Sequence, residues 1–195
     1  ERLVAAVSIR AARFRRLRSM MLRDSLTGLL NHTTTKKQLS IELSRMRRGN
    51  LSLAFALIDL DHFKFVNDTY GHPIGDQVLK TMSAMLKQRL RMTDLIGRYG
   101  GEEFAVALSD VSTSNAVLVL NEVRQAFSEI KQMHPGGEFS VTMSCGVAMF
   151  PDFADVPSLI EAADQALYDA KSKGRNCVVV ASSKTTNRAK RANGG

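Results

Sequence analysis

The chain has 195 residues, 44% of them hydrophobic, with no tryptophan, two cysteines and a net charge of +8. That composition fits one globular domain with appendages. It excludes a disulfide framework, because Cys145 and Cys177 are too few and both fall in strand-like runs suited to buried thiols in a reducing compartment; it also excludes a membrane span or signal peptide, because no apolar run is long enough. Residues 1–23 carry +6 and residues 181–195 carry +4, leaving −2 for the body between them, and that body has no basic groove interleaved with stacking aromatics, so a nucleic-acid partner is not expected.

Residues 3–22 read as one amphipathic helix. Leu3, Val7, Phe14, Leu17 and Met21 repeat at heptad spacing, with Arg10 as the one polar seam position. The expectation is a dimerising or signal-transmitting helix, set against a helix packed on its own domain or lying at a membrane surface. A linker over 23–30 leads to Asn31 as N-cap of a helix carrying Thr35, Leu39, Leu43 and Met46 inward and ending at Gly49. Leu51 to Ile58 is almost continuously apolar, as a central strand covered on both faces would be. It runs into Asp59-Leu60-Asp61, and acids at the end of a buried strand are costly unless something pairs with them.

After a turn over 70–76, a helix buries Val78, Leu79, Met82, Met85, Leu86 and Leu90. Arg91-Met92-Thr93-Asp94 closes it. Leu95-Ile96 and Phe104–Leu108 then flank Gly100-Gly101, which reads as a tight hairpin whose glycines take positive φ, with Glu102 and Glu103 at the start of the second strand. Residues without side chains let a ligand approach the backbone, and the acids beside them can hold a cation; a plain solvated hairpin would look the same from these residues alone. A helix over Ala116–Ile130, a strand over 139–149 with one face in the core, a helix opened by a Ser158/Glu161 capping box and stopped by Gly174, and a short strand from Cys177 to Val180 complete the chain. Beyond Ala181 a polar, basic, disordered tail is expected. The order is α+β, with a β-α-β-β-α-β core of the ferredoxin-like or polymerase-palm kind.

Gly100-Gly101-Glu102-Glu103-Phe104 resembles the signature of the GGDEF family, the diguanylate cyclases, in its GGEEF form. Asp24-Ser25-Leu26-Thr27-Gly28-Leu29-Leu30-Asn31, Ile58–Lys64, Val66-Asn67-Asp68, Gly71-His72, Gly75-Asp76, Ala166–Lys171 and Gly174-Arg175-Asn176 follow in the family's order, so the resemblance covers about 24–180. It implies an adenylyl cyclase-like palm fold, with 1–23 as the signalling helix. The implied activity is condensation of two GTP into cyclic di-GMP and two pyrophosphates, across two domains of a homodimer that face each other. Magnesium, with manganese as an alternative, is the implied cofactor. A cytoplasmic domain is expected, with a sensor or anchor cut away upstream of Glu1.

The resemblance also implies residue roles. Asp59, Glu102, Glu103 and the Leu60 carbonyl match the metal ligands, with Glu102 and Glu103 counted as catalytic beside Lys64. Converging carboxylates repel unless a cation neutralises them. Lys64, Lys171 and Arg175 match the β- and γ-phosphate contacts, helped by backbone N–H groups at Phe63 and Lys64 and by Gly100 and Gly101; outside that register, Lys171 and Arg175 would be ordinary cations at a helix C-terminus. Asn67 and Asp76 match the guanine readers, the alternative for Asp76 being a plain N-cap. Arg91 and Asp94 form the Arg-x-x-Asp of an inhibitory product site, the alternative being a surface ion pair. His32 stands where the family commonly has arginine, at a position peripheral to this chemistry. Two rivals are a silent cyclic di-GMP receptor using Arg91 and Asp94, and a nucleic-acid module using the basic ends.

Overall fold

The computed structural model describes residues 22–183. The heptad helix, but for Leu22 and Arg23, and the tail from 184 onward lie outside the described residues. Twelve elements follow in order: α1 (His32–Gly49), β1 (Leu53–Leu60), α2 (Phe63–Tyr70), α3 (His72–Arg89), β2 (Leu95–Arg98), β3 (Glu103–Ser109), α4 (Thr113–Glu129), β4 (Gln132–His134), β5 (Gly137–Phe139), β6 (Met143–Phe150), α5 (Val156–Ser172) and β7 (Val178–Val180).

The main sheet has the strand order β2-β3-β1-β6-β7. β1 is central and antiparallel to both neighbours; only the edge strand β7 pairs in parallel, with β6. Helices cover both faces. On one face Ala54, Ala56, Ile58, Phe104 and Val106 pack under α2, α3 and α4, through Phe63, Val66, Met82, Leu120 and Phe127. On the other face Phe55, Leu57, Ala105 and Ala107 pack under α1 and α5, through Leu39, Leu43, Leu159, Ala163 and Leu167. The α+β, palm-like expectation holds, and the sequence of β1 explains it: a strand buried along its whole length needs apolar residues on both faces.

Five expectations change. β6 is buried on both faces, and its alternation is one of large and small residues, not of buried and exposed ones. Ser144, Gly146 and Ala148 face α5, and the helix comes so close that a Cβ at Gly146 would sit 2.1 Å from the Ala163 carbonyl oxygen and 2.2 Å from the Leu167 nitrogen. Phe139 belongs instead to a separate β4–β5 hairpin, its ring stacked on Tyr70 at 4.3 Å. The supposed turn over 70–76 is mostly helix: α3 begins at His72 after Gly71, whose φ of 84° suits glycine, and Pro73 is tolerated in a first turn where its missing N–H has no partner to lose. The capping box at α5 is Asp155 with Ser158, since the Asp155 carboxylate accepts from Ser158 N at 2.8 Å. α1 is closed by Asn50 in the left-handed region (φ 51°), one residue beyond Gly49.

The Gly146 contact ties the sheet to the site, because α5 is seated on it and carries Lys171 one turn past Leu167. Gly146→Ala should lower stability by about 2 kcal/mol or more, since backbone, not a flexible side chain, stands in the way. Urea unfolding that left the midpoint unchanged would contradict that packing.

Candidate active site

β1 ends by carrying Asp59 to the α5 side of the sheet, 5% exposed. Across the ladder Asp59 faces Glu103 of β3 on one side and Ser144 of β6 on the other. α5, seated on Gly146, extends Lys171 over this end, and its Nζ lies 2.8 Å from Asp59 Oδ2. The Leu60 N–H donates to the Glu102 carbonyl at 3.3 Å, which fixes the hairpin tip beside the strand end.

The tip differs from the expected two-residue turn. Tyr99 to Glu102 separate β2 from β3, and the Tyr99 and Gly100 N–H groups both donate to the Glu103 carbonyl, at 2.7 and 3.2 Å. Neither Gly100 nor Gly101 has positive φ. A Cβ at Gly100 would lie 2.3 Å from Glu103 Oε2, the end of a flexible side chain that folds back over the glycine. Gly101 has nothing within 4 Å of an added Cβ, which leaves the tip open to an approaching ligand.

All three carboxyls are pushed above their ordinary values, in each case mainly by burial. For Asp59 the Lys171 hydrogen bond and charge oppose the rise, Asp61 adds to it, and the Arg175 charge again opposes it. Glu102 and Glu103 are raised further by the charge of Asp59, with Lys171 pulling back. Arg175, in the left-handed region at φ 65°, therefore acts on the same pocket of charge as Lys171. Lys64 lies exposed on α2 and is not among the charges acting on these three acids.

A second group gathers at the α2–α3 corner. A Cβ at Gly75 would sit 2.0 Å from Asn67 Oδ1 and 3.2 Å from the Phe63 ring, so Asn67 is drawn against the start of α3, next to exposed Asp76. Asp76 lies inside α3, which removes its reading as an N-cap. A third group lies apart: Arg91 N donates to Asp94 Oδ2 at 2.9 Å, so the pair is a backbone-closed turn, with no side-chain ion pair. Its outer side lines a cavity of about 560 Å³ with Arg23, Gln38, Glu42 and Lys87.

Three contacts were not foreseen. The Arg98 guanidinium spans Asp24, 3.1 Å from each carboxylate oxygen, and donates to the Gly101 carbonyl at 2.6 Å, so the segment before α1 braces the hairpin tip. Burial raises Asp24, but the Thr27 hydroxyl and N–H, with Arg98, outweigh it and hold the carboxyl below its ordinary value. His32, expected to be peripheral, has its ring 4.5 Å from that of Tyr99 at the tip. Asp61 is buried and accepts from Thr142 Oγ1, Ser144 Oγ and Asn176 N. The sequence signal for the last was the apolar run ending in two acids; nothing marked which of the two was structural.

A divalent ion suits this donor set. The ligands are hard oxygens, and the site already draws in a cation, Lys171, to offset them. Among the described residues no three acidic, histidine or cysteine side chains cage an ion by themselves.

Residues 21–177 match the family described as "Diguanylate cyclase, GGDEF domain". The diguanylate cyclase DgcP of Pseudomonas aeruginosa is 40% identical over 164 residues, covering 84% of this chain and 24% of that protein. Among solved structures, the coiled coil and GGDEF domain of DgcB from Caulobacter crescentus, in complex with c-di-GMP, aligns with a TM-score of 0.85 at 29% identity, over 91% of this chain and 95% of that one. The active GGEEF domain of a diguanylate cyclase from Vibrio cholerae aligns with a TM-score of 0.74 at 28% identity, over 79% and 98% respectively. The chain spans about a quarter to a half of the curated relatives it matches.

The charge cluster makes a pH prediction. Glu103 is raised in the folded state, so its contribution to stability is complete below the ordinary value of 4.5 and is lost as pH climbs through the raised value. Glu103→Gln should therefore melt higher than the parent at pH 7.5 without divalent ions, and the two should converge near about pH 4. Equal midpoints at both pH values would contradict the crowding of acids.

Proposed function

The chain belongs to the GGDEF family of diguanylate cyclase domains, and from that premise we propose that residues 24–180 condense two GTP into cyclic di-GMP and two pyrophosphates. The observation that carries this reading is the Lys171–Asp59 contact of 2.8 Å with Glu103 directly across the ladder: an acid cluster and a lysine ammonium at one strand end, open toward Gly101.

In this reading Asp59, Glu102, Glu103 and the Leu60 carbonyl hold magnesium, or manganese in its place. When bound, the ion offsets the triphosphate charge and makes the 3′-hydroxyl more acidic. Lys171, now held by Asp59, turns its three donors to the β- and γ-phosphates once the acid has another partner. Arg175 joins it from the α5–β7 turn, so the charge that moves onto the leaving pyrophosphate meets two fixed cations. Lys64 and the N–H groups of the first turn of α2, which have no intrahelical acceptors, cradle the phosphates from the other side. Asn67 and Asp76 read guanine: a carboxylate accepts from the N1–H and 2-amino edge, which adenine does not offer.

One domain holds one GTP, so two copies must face each other. The heptads of 1–23 supply a means to bring them together, and the coiled coil in the DgcB structure supports that assignment. The tail expected from 181 onward starts later, since Ala181 N donates to the Val147 carbonyl at 2.7 Å and Ser183 is buried. Among the described residues no helix is long and apolar enough to cross a membrane. The Arg91–Asp94 turn with its neighbouring cavity is the product site, where Arg91 pairs with guanine O6 and N7.

Purified protein given GTP and magnesium should make cyclic di-GMP. Glu102→Ala and Glu103→Ala should each lower the rate by about 100-fold or more, beyond the loss typical for a residue that only supports a ligand. Wild-type rates in either variant would end this reading. Tight binding of cyclic di-GMP by a parent chain without turnover would favour the silent receptor.

Arg91→Ala should raise the product concentration giving half-inhibition by about tenfold, the value of one bidentate contact to guanine. Unchanged inhibition would remove Arg91 from the product site.

A further inference from the structure

The α5–β7 turn is an unusual piece of backbone. Gly174, Arg175 and Asn176 all have positive φ, at 108°, 65° and 45°. Two consecutive residues with side chains in the left-handed region persist only where surrounding contacts hold them. α5 itself supplies part of the hold, since Gly174 N and Arg175 N donate back to Lys171 O and Ala170 O at 3.4 and 3.1 Å. Those bonds close the helix. They do not tie the turn to the rest of the site.

Two contacts do. Asn176 N donates to Asp61 Oδ2 at 3.1 Å. On its other side Asn176 Oδ1 accepts from Arg124 Nη1 at 2.9 Å, and Arg124 is itself steadied by Nε donating to Asn121 Oδ1 at 3.1 Å. Asp61 is a rigid anchor. It is 4% exposed, Ser144 Oγ and Thr142 Oγ1 donate to its carboxylate at 2.6 and 2.7 Å, and its own N–H donates to the Thr142 carbonyl at 2.9 Å. It lies between β1, which presents Asp59 and Leu60, and α2, which presents Phe63 and Lys64.

We propose that Asp61, Asn176 and Arg124 form a latch that fixes the α5–β7 turn to the β1–α2 turn and so sets the position of Arg175 against the triphosphate. The three are positioning residues: none reaches the substrate, and each acts through Arg175. The inference rests on the reading of Arg175 as a phosphate contact, and it assigns work to Asp61 and Asn176, two residues of the sequence motifs for which that reading has no use. It also extends the site to α4, through Arg124, an element that carries none of the assigned chemistry.

The test is a double-mutant cycle on the full chain. Asp61→Asn and Arg124→Met are made singly and in combination with Arg175→Ala. GTP KM, kcat, equilibrium binding of a non-hydrolysable GTP analogue and thermal midpoint are measured for each. Arg124→Met should raise KM and weaken analogue binding by about three- to tenfold, and should add nothing further once Arg175 is alanine, because groups that act as one unit are not additive. Asp61→Asn should show the same loss of additivity in whatever folded protein it yields. If the penalties of Arg124→Met and Arg175→Ala simply multiply, or if Arg124→Met lowers the thermal midpoint while leaving KM and analogue binding unchanged, the latch is wrong and the contacts serve stability alone. Absence of turnover in the parent chain would overturn the cyclase reading instead, and the analogue-binding cycle would still decide the latch.

Discussion

A carboxylate at the buried end of a central strand sets the terms for the rest of this molecule. Asp59 sits in β1, whose eight residues are all buried, and it faces Glu103 across the ladder. Two acids at such a place are unstable company unless positive charge is brought to them. The fold brings it from α5, and α5 can come near enough because Gly146 leaves the sheet bare beneath it. The chain of cause runs from one glycine in β6, through the seating of a helix, to an ammonium 2.8 Å from a carboxylate. The pair is buried on one side only, since the Lys171 side chain is 35% exposed against 7% for Asp59, so the ammonium can be reached from solvent. The proposed function reads that lysine as a placeholder, held by the acids until a cation arrives with a polyanionic ligand.

The same economy appears at the hairpin tip. Glycine at 100 lets the Glu103 side chain fold back over it, and glycine at 101 keeps the outer surface clear. Arg98 reaches from the strand below to hold the Gly101 carbonyl and Asp24 at once, so the tip is braced from the segment that precedes α1. Any change in the path of that segment bears on Asp24, and through Arg98 on the loop that carries Glu102. The Arg91–Asp94 turn lies at the other end of β2 from this tip, one short strand away from the acid cluster.

Much of this could be seen in the residues alone, and the parts that could not are instructive. The apolar run of β1, the cap at Asn31 and the periodicity of α3 and α4 are local signals, and they held. So did the family resemblance, because several motifs fell in one register. The two-faced burial of β6 was missed because Ser144, Gly146 and Ala148 look like the exposed half of an amphipathic strand; only the close approach of α5 shows that they are small for packing. The start of α3 was missed because Gly71-His72-Pro73 carries turn chemistry that also opens helices. Positive φ was expected at Gly100 and Gly101 and found at Arg175 and Asn176 instead, where a tertiary hydrogen bond to Asp61 settles the backbone. That contact joins residues 115 positions apart, and no local pattern could announce it.

The central claim is that Lys171 neutralises Asp59 only until a metal–triphosphate takes its place. Anomalous diffraction from crystals grown with manganese and a non-hydrolysable GTP analogue tests it most directly. The account predicts manganese density between Asp59 and the Glu102–Glu103 tip, with Lys171 Nζ moved off Asp59 onto a phosphate oxygen. Nucleotide bound elsewhere, with the Lys171–Asp59 pair intact and no anomalous signal beside it, would contradict it.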